Sequence, residues 1–170
     1  MLPFDCANPG LQGVGGGGAG AGGGECPAGT TWYVDDTAPG LNNGMNWTDA
    51  FTDLQTALNS AADGDQIWVA EGIYRPSLET EMGEPRSATF AMANCLEIYG
   101  GYPNGGGTRD PKTFISILSG DIGNPGDDSD NSYHVVVAYD VDDTAILDGF
   151  TITKGQADGD EAGPPRSPRP

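Results

Sequence analysis

Trp47–Pro76 reads WTDAFTDLQTALNSAADGDQIWVAEGIYRP, and within it the hydrophobic period changes once. Up to Ala61 the residues Phe51, Leu54, Leu58 and Ala61 recur at helical spacing, with Ala50 and Ala57 beside them, and make one apolar face. Thr48 reads as the N-cap, Asp49 puts negative charge in the first turn, and Gly64 stands where a C-terminal cap would. From Ile67 to Ala70 the run IWVA is apolar, aromatic and β-branched, which is strand chemistry. The stretch predicts one amphipathic helix leading directly into a strand.

Outward from there, only strands follow. TWYV (Thr31–Val34) precedes the helix. CLEIYGGY (Cys95–Tyr102), SILSG (Ser116–Gly120), YHVVVAY (Tyr133–Tyr139) and AILDGFTIT (Ala145–Thr153) come after it. Loops at Arg75–Arg86, Pro103–Lys112 and Asp121–Asn131 separate them. No second helical pattern intervenes, which argues against a doubly wound α/β sheet. No Asn-Gly or Asp-Gly pair joins two strands tightly, which argues against a hairpin meander. The chain reads as mainly β, a coil of short strands capped at its N-terminal end by one amphipathic α-helix. Each turn of such a coil buries its apolar face only against its neighbours. Alternation places Ile67, Val69, Leu96, Ile98, Ile117, Val135, Val137, Ile146, Phe150 and Ile152 inside. A slip of one residue inverts any of these faces.

The flanks have a different composition. Nine of the 28 glycines lie between Gly13 and Gly24. Residues 1–30 read as a disordered Gly-rich lead, 31–155 as the capped coil, and 156–170 as a disordered Pro-rich tail. The tail holds four of the thirteen prolines and two of the seven basic residues, a shift that suggests a truncated or misread end. Gly13–Gly18 matches G-x-G-x-x-G, but no strand precedes it and no helix follows, so it reads as linker. The formal net charge of -18 argues against nucleic-acid and membrane-surface partners. No segment has the length of a membrane-spanning helix, and MLPFDCANPG shows no signal-peptide pattern.

YVDDTAPG, the Trp47–Pro76 stretch, LEIYGGYP, ILSGDI, NSYHVVVAYD and AILDGFTITKG follow one another from about Tyr33 to Gly155. In that order they resemble the N-terminal region of right-handed parallel β-helix proteins of the pectin-lyase-like superfamily. The closest subgroup is the large secreted or cell-surface bacterial proteins related to polymorphic outer-membrane proteins. The resemblance implies that the helix face of Phe51, Leu54, Leu58 and Ala61 plugs the open end of the coil. It implies that IWVA begins the first turn, with EIYGG and ILDGF at similar positions on neighbouring turns. It also implies an extracellular or cell-surface location without membrane insertion. The expected function is non-catalytic: adhesion, display or contact with a polysaccharide or cell-surface glycan. The alternative is the N-terminal part of a polysaccharide lyase or glycoside hydrolase whose active-site turns are absent here.

Candidate chemistry is sparse. A glycoside hydrolase needs two carboxylates across the scissile bond. The acidic pairs Asp35-Asp36, Asp127-Asp128 and Asp142-Asp143 all fall in polar loop sequence. The bases available to a lyase, Arg75, Arg86, Arg109, Lys112 and Lys154, lie in loops or at strand ends, and no catalytic residue is assigned. Asp121, Asp127, Asp128 and Asp130 concentrate hard oxygen donors that suit Ca²⁺, although the spacing departs from the EF-hand pattern; a solvated acidic loop is the other reading. No other cofactor is expected. His134 reads as a strand residue facing a loop or solvent. Cys95 reads as a small buried residue, and Cys6 and Cys26 as a pair able to bridge in an oxidising compartment. Trp32, Trp47, Trp68, Tyr74, Tyr99 and Tyr102 read as buried under the cap and at corners, with stacking on sugars as their alternative use. Nothing in the last turn continues the ladder, so self-association through that end is expected.

Overall fold

A computed structural model of the chain describes residues 25–158. The glycine tract with Cys6, and the Pro-rich end from residue 159, lie outside the described residues. Among the described residues, nine strands form three all-parallel sheets. The first sheet joins β1 (Thr31–Val34), β2 (Gln66–Ala70), β5 (Glu97–Tyr102) and β8 (Ile146–Asp148), in that order. The second joins β3 (Gly72–Tyr74), β6 (Ser116–Ser119) and β9 (Phe150–Thr153), and the third pairs β4 (Phe90–Ala91) with β7 (Val136–Val137). The chain revisits each sheet once per turn and in register, so Trp32, Ile67, Ile98 and Leu147 stack as one inward column. This is a parallel β-solenoid with one short α-helix, as the sequence predicts.

The helix α1 (Leu54–Ser60) is shorter than expected. Its N-cap is Asp53, which accepts from the Thr56 N–H at 2.9 Å, and not Thr48. The reason lies in Phe51, which pairs with Val34 in extended conformation; its N–H donates to the Tyr33 carbonyl and its carbonyl accepts from Asp35. Backbone so engaged cannot also wind into a first helical turn. Asp49 accordingly ties the preceding loop, accepting from the Leu41 N–H and the Asn46 amide, each at 2.9 Å. At the other end Ala61 is the C-cap. Gly64, at φ +91°, turns the chain so that its N–H reaches the Cys95 carbonyl at 2.7 Å. Between β1 and β2 the helix fills the sequence place that β3 and β4 fill between β2 and β5. Phe51, Leu54 and Ala57 join the core, with Leu58 and Ala61 packed at its edge.

Two features fasten the front of the solenoid. Cys26 is bonded to Cys95, with Cα atoms 5.4 Å apart, so neither a Cys6–Cys26 pair nor a free buried Cys95 describes the molecule. Register explains the choice. Cys95 leads into β5 beside Gly64, and Gly64 packs against Pro27 in the segment that carries Cys26. Buried Asp65 adds a second fastening. Its carboxylate accepts from the Thr30 N–H at 2.6 Å, the Trp32 indole at 2.8 Å and the Ala62 N–H at 2.9 Å. Residues 25–30, assigned above to the lead, therefore lie against the cap.

Ile67, Val69, Leu96, Ile98 and Val135 are buried as predicted. Three other positions are displaced by one residue. Ser116 points inward, where its hydroxyl donates to the Ala70 carbonyl at 2.8 Å and accepts from the Gly101 N–H. Alternation then sends Ile117 outward and buries Leu118. In the first sheet Ile146 stacks outside on Glu97, and Leu147 takes the inward place beside Ile98. In the third, Val136 opposes buried Phe90 and packs on the core, leaving Val137 opposite exposed Ala91.

Candidate functional site

Parallel in-register stacking turns single outward residues into ladders, because neighbouring strands lie about 4.8 Å apart. On the outer face of the first sheet, Tyr33, Trp68, Tyr99 and Asp148 form one ladder, and Thr31, Gln66, Glu97 and Ile146 form the next. Tyr33 and Trp68 meet edge to face with ring centroids 5.8 Å apart. An extra residue in β5, accommodated by Gly101 at φ +95°, sets Tyr102 against Trp68 with the rings stacked at 5.0 Å. Trp47 reaches in from the loop before the helix and touches both Tyr33 and Tyr102, at 5.0 and 5.2 Å. Tyr33, Trp47, Trp68 and Tyr99 stay half-buried, so this aromatic cluster keeps an open edge.

Polar groups rim that edge. The Gln66 amide donates to Glu97 at 2.6 Å, the Trp68 indole donates to Gln66 at 3.2 Å, and the Tyr99 hydroxyl donates to Glu97 at 3.1 Å. Partial burial, then the bond to Glu97, pushes the Tyr99 hydroxyl up from its ordinary pKa. Arg109 lies over the Tyr99 ring at 5.3 Å, donates to the Gly100 carbonyl at 2.7 Å and pairs with Asp148. Of the aromatic residues singled out in the sequence, Tyr74 and Tyr102 are buried and Trp32 faces inward to Asp65. Trp47, Trp68 and Tyr99 gather on the outer face, with Tyr33, Gln66, Glu97 and Arg109 joining them. Gln66 and Glu97 immediately precede IWV and IYG, and their equivalence shows only once those runs are aligned.

Within the acidic loop, Asp127 and Asp130 hold the loop's own backbone. Asp127 caps a 3₁₀ turn at Asp128–Asp130, accepting from the Ser129 N–H and hydroxyl, and those bonds hold its carboxyl below the usual range. Asp128 pairs with Lys154 at 3.6 Å, and Asp130 accepts from the Asn124 N–H at 2.7 Å. Arg75 donates to the Asp121 carbonyl at 2.6 Å. One oxygen each of Asp121 and Asp130 is buried without a hydrogen-bond partner among the described residues. No group of three or more His, Cys, Asp or Glu side chains is arranged to hold a metal ion among the described residues.

Arg86, Asp35 and Asp142 are also placed structurally. Arg86 lies over the Tyr133 ring at 4.3 Å and pairs with Asp158. Asp35 accepts from the Thr37 N–H at 2.9 Å and the Gly105 N–H at 2.7 Å, and Asp142 caps Thr144. His134 is exposed. The disulfide belongs to the chemistry of oxidising compartments. No helix among the described residues is long and apolar enough to cross a membrane. No protein-family model matches the chain, and neither a curated protein nor a solved structure matches it.

Proposed function

We propose that this chain is a non-catalytic β-solenoid of an extracellular or cell-surface protein, and that it holds neutral glycan on the outer face of its first sheet. The observation that carries the reading is the half-exposed ladder of Tyr33, Trp68 and Tyr99, rimmed by Gln66 and Glu97. A sugar ring offers an apolar C–H face and a border of hydroxyls. Aromatic rings with an amide and a carboxylate beside them meet both demands. The net charge of -18 disfavours acidic polymers. The disulfide favours an exported setting. The landmark residues that resemble the pectin-lyase-like superfamily, and within it the polymorphic outer-membrane protein relatives, support the same assignment.

The test is titration of the full chain with cellohexaose, xylohexaose, mannohexaose and chitohexaose, read by calorimetry and tryptophan fluorescence. At least one of these neutral oligomers binds, and Trp68→Ala and Tyr99→Leu each weaken it tenfold or more with circular dichroism unchanged. Polygalacturonate does not bind, and no sugar releases reducing or unsaturated ends above a denatured control. Binding by none of the four, or equal binding by both variants, removes the glycan reading. Product release replaces it with the enzymatic one.

A further inference from the structure

A groove of about 400 Å³, lined by none of the aromatic-ladder residues, lies where the end of β1 meets the start of β3 and residues 104–115. Its lining brings together the acidic residues Asp36 and Glu71 and the aliphatic residues Ile73, Ile115 and Ile117. Ile73 and Ile117 are in register on β3 and β6, so they form an outward ladder. Ile73 is 48% exposed and Ile115 41%, so the apolar surface continues past the groove. Asp36 hangs over Gly72, where an added Cβ would meet its carboxylate oxygens at 3.1 and 3.2 Å. Asp35 beside it spends its oxygens on Thr37 and Gly105. The three ion pairs among the described residues all lie elsewhere, so Asp36 and Glu71 face the groove without a cationic partner there. Burial, then the neighbouring charge of Asp35, holds the Asp36 carboxyl above its usual range.

We propose that this groove takes a lysine or arginine side chain from an extended basic peptide segment of a partner, its stem on Ile73, Ile115 and Ile117 and its cation between Asp36 and Glu71. Long basic side chains combine an apolar stem with a charged tip, and the lining offers aliphatic and acidic residues together. A metal ion fits poorly, because no three acidic, histidine or cysteine side chains converge. A small free amine would leave the exposed parts of Ile73 and Ile115 uncovered, whereas a peptide backbone covers them. The charge of -18 steers such a segment from a distance. The groove and the aromatic ladder use different residues, so this inference does not depend on glycan binding.

The probe is the peptide acetyl-GKLKLKG-amide, titrated calorimetrically into the full chain at physiological salt. Its charge-reversed control is acetyl-GELELEG-amide. The basic peptide binds at a single site and the acidic one does not. Asp36→Asn combined with Glu71→Gln weakens binding at least tenfold, and Ile73→Thr weakens it several-fold. Glu81→Gln combined with Asp143→Asn removes the same charge from exposed positions elsewhere and leaves affinity within twofold. Three results overturn the proposal: absence of binding, equal losses in the two double variants, or 1,5-diaminopentane binding as tightly as the peptide. Oligosaccharide binding measured on Asp36→Asn with Glu71→Gln stays at its wild-type value, which keeps the two sites' tests separate.

Discussion

Leu118 and Ile152 occupy the same inward position on successive turns of the second sheet, yet Leu118 is 1% exposed and Ile152 52%. The difference is one turn of cover. Leu118 lies between Tyr74 and Ile152, whereas no strand among the described residues pairs on the far side of β9. Equal chemistry therefore has unequal consequences. Leu118→Ala costs about 2–5 kcal/mol, as for other buried leucines. Ile152→Ala costs less than about 1.5 kcal/mol, because much of its surface already meets water. Denaturant unfolding of the two variants measures both. Similar losses would show that the last turn is closed in solution.

The same edge is the expected route for self-association. Unpaired strand edges with apolar side chains template pairing with another chain. Amides of residues 146–153 exchange faster than those of 66–70, and the chain associates at high concentration despite its charge. Ile152→Lys suppresses that association. Equal protection in a chain that stays monomeric would remove this prediction.

Reduction of Cys26–Cys95 loosens the front of the solenoid. The bond spans 69 positions of sequence and ties residues 25–30 to the approach to β5. Disulfides typically stabilise by about 2–4 kcal/mol, chiefly by restricting the unfolded chain. Cys26→Ser and Cys95→Ser lower the melting temperature equally, and reductant then has no further effect on either. Unchanged melting in both variants would mean that the bond contributes nothing.

Asp65 is the more demanding position. Asp65→Ala leaves the Thr30 N–H, the Ala62 N–H and the Trp32 indole without their acceptor. Hydrogen bonds to a charged group contribute about 1.5–3 kcal/mol each, so the loss exceeds about 3 kcal/mol even with partial rescue by water. Asp65→Asn keeps one acceptor oxygen and loses less. An alanine variant as stable as the asparagine one would contradict this account.

The change of period between Ala61 and Ile67 was sufficient to place the cap and the first full strand, because apolar spacing is a local property. Local readings failed where a nonlocal contact intervened. Ser116 is turned inward by bonds to Gly101 and Ala70, and Phe51 is held extended by Val34. Neither partner is near in sequence. The same limit governs the cysteines: Cys26 has Cys6 as a neighbour along the chain, but the register of β2 and β5 brings Cys95 to it. The candidate site shows both sides. Trp47, Trp68 and Tyr99 are visible as residues in the sequence, while their gathering around Gln66 and Glu97 depends on turns whose loops differ in length.

Stability passes through a maximum on the acid side of neutrality. Asp36 is raised above its unfolded value of 3.8, first by burial and then by Asp35. The native state therefore takes up this proton more readily than the unfolded chain, and stability increases as pH falls through the folded value. Neutralising carboxylates in a chain of net charge -18 also relieves self-repulsion over the same interval. The opposite sign holds for Asp49, Asp110, Asp127, Asp142 and Asp158. Each is lowered, the first four chiefly by hydrogen bonds within their turns and Asp158 by Arg86. Their contribution is complete above the unfolded value and is lost as pH falls below 3.8 through the folded values. Melting temperature should thus rise as pH falls through the raised Asp36 value toward 3.8, then fall as pH drops below 3.8 through the lowered carboxyls. Added salt should flatten the rise by screening the repulsion, and Asp36→Asn should reduce it further. Melting curves from pH 7 to pH 3 decide the matter: a steady decline over the whole range would show that neither Asp36 nor the net charge opposes folding at neutral pH.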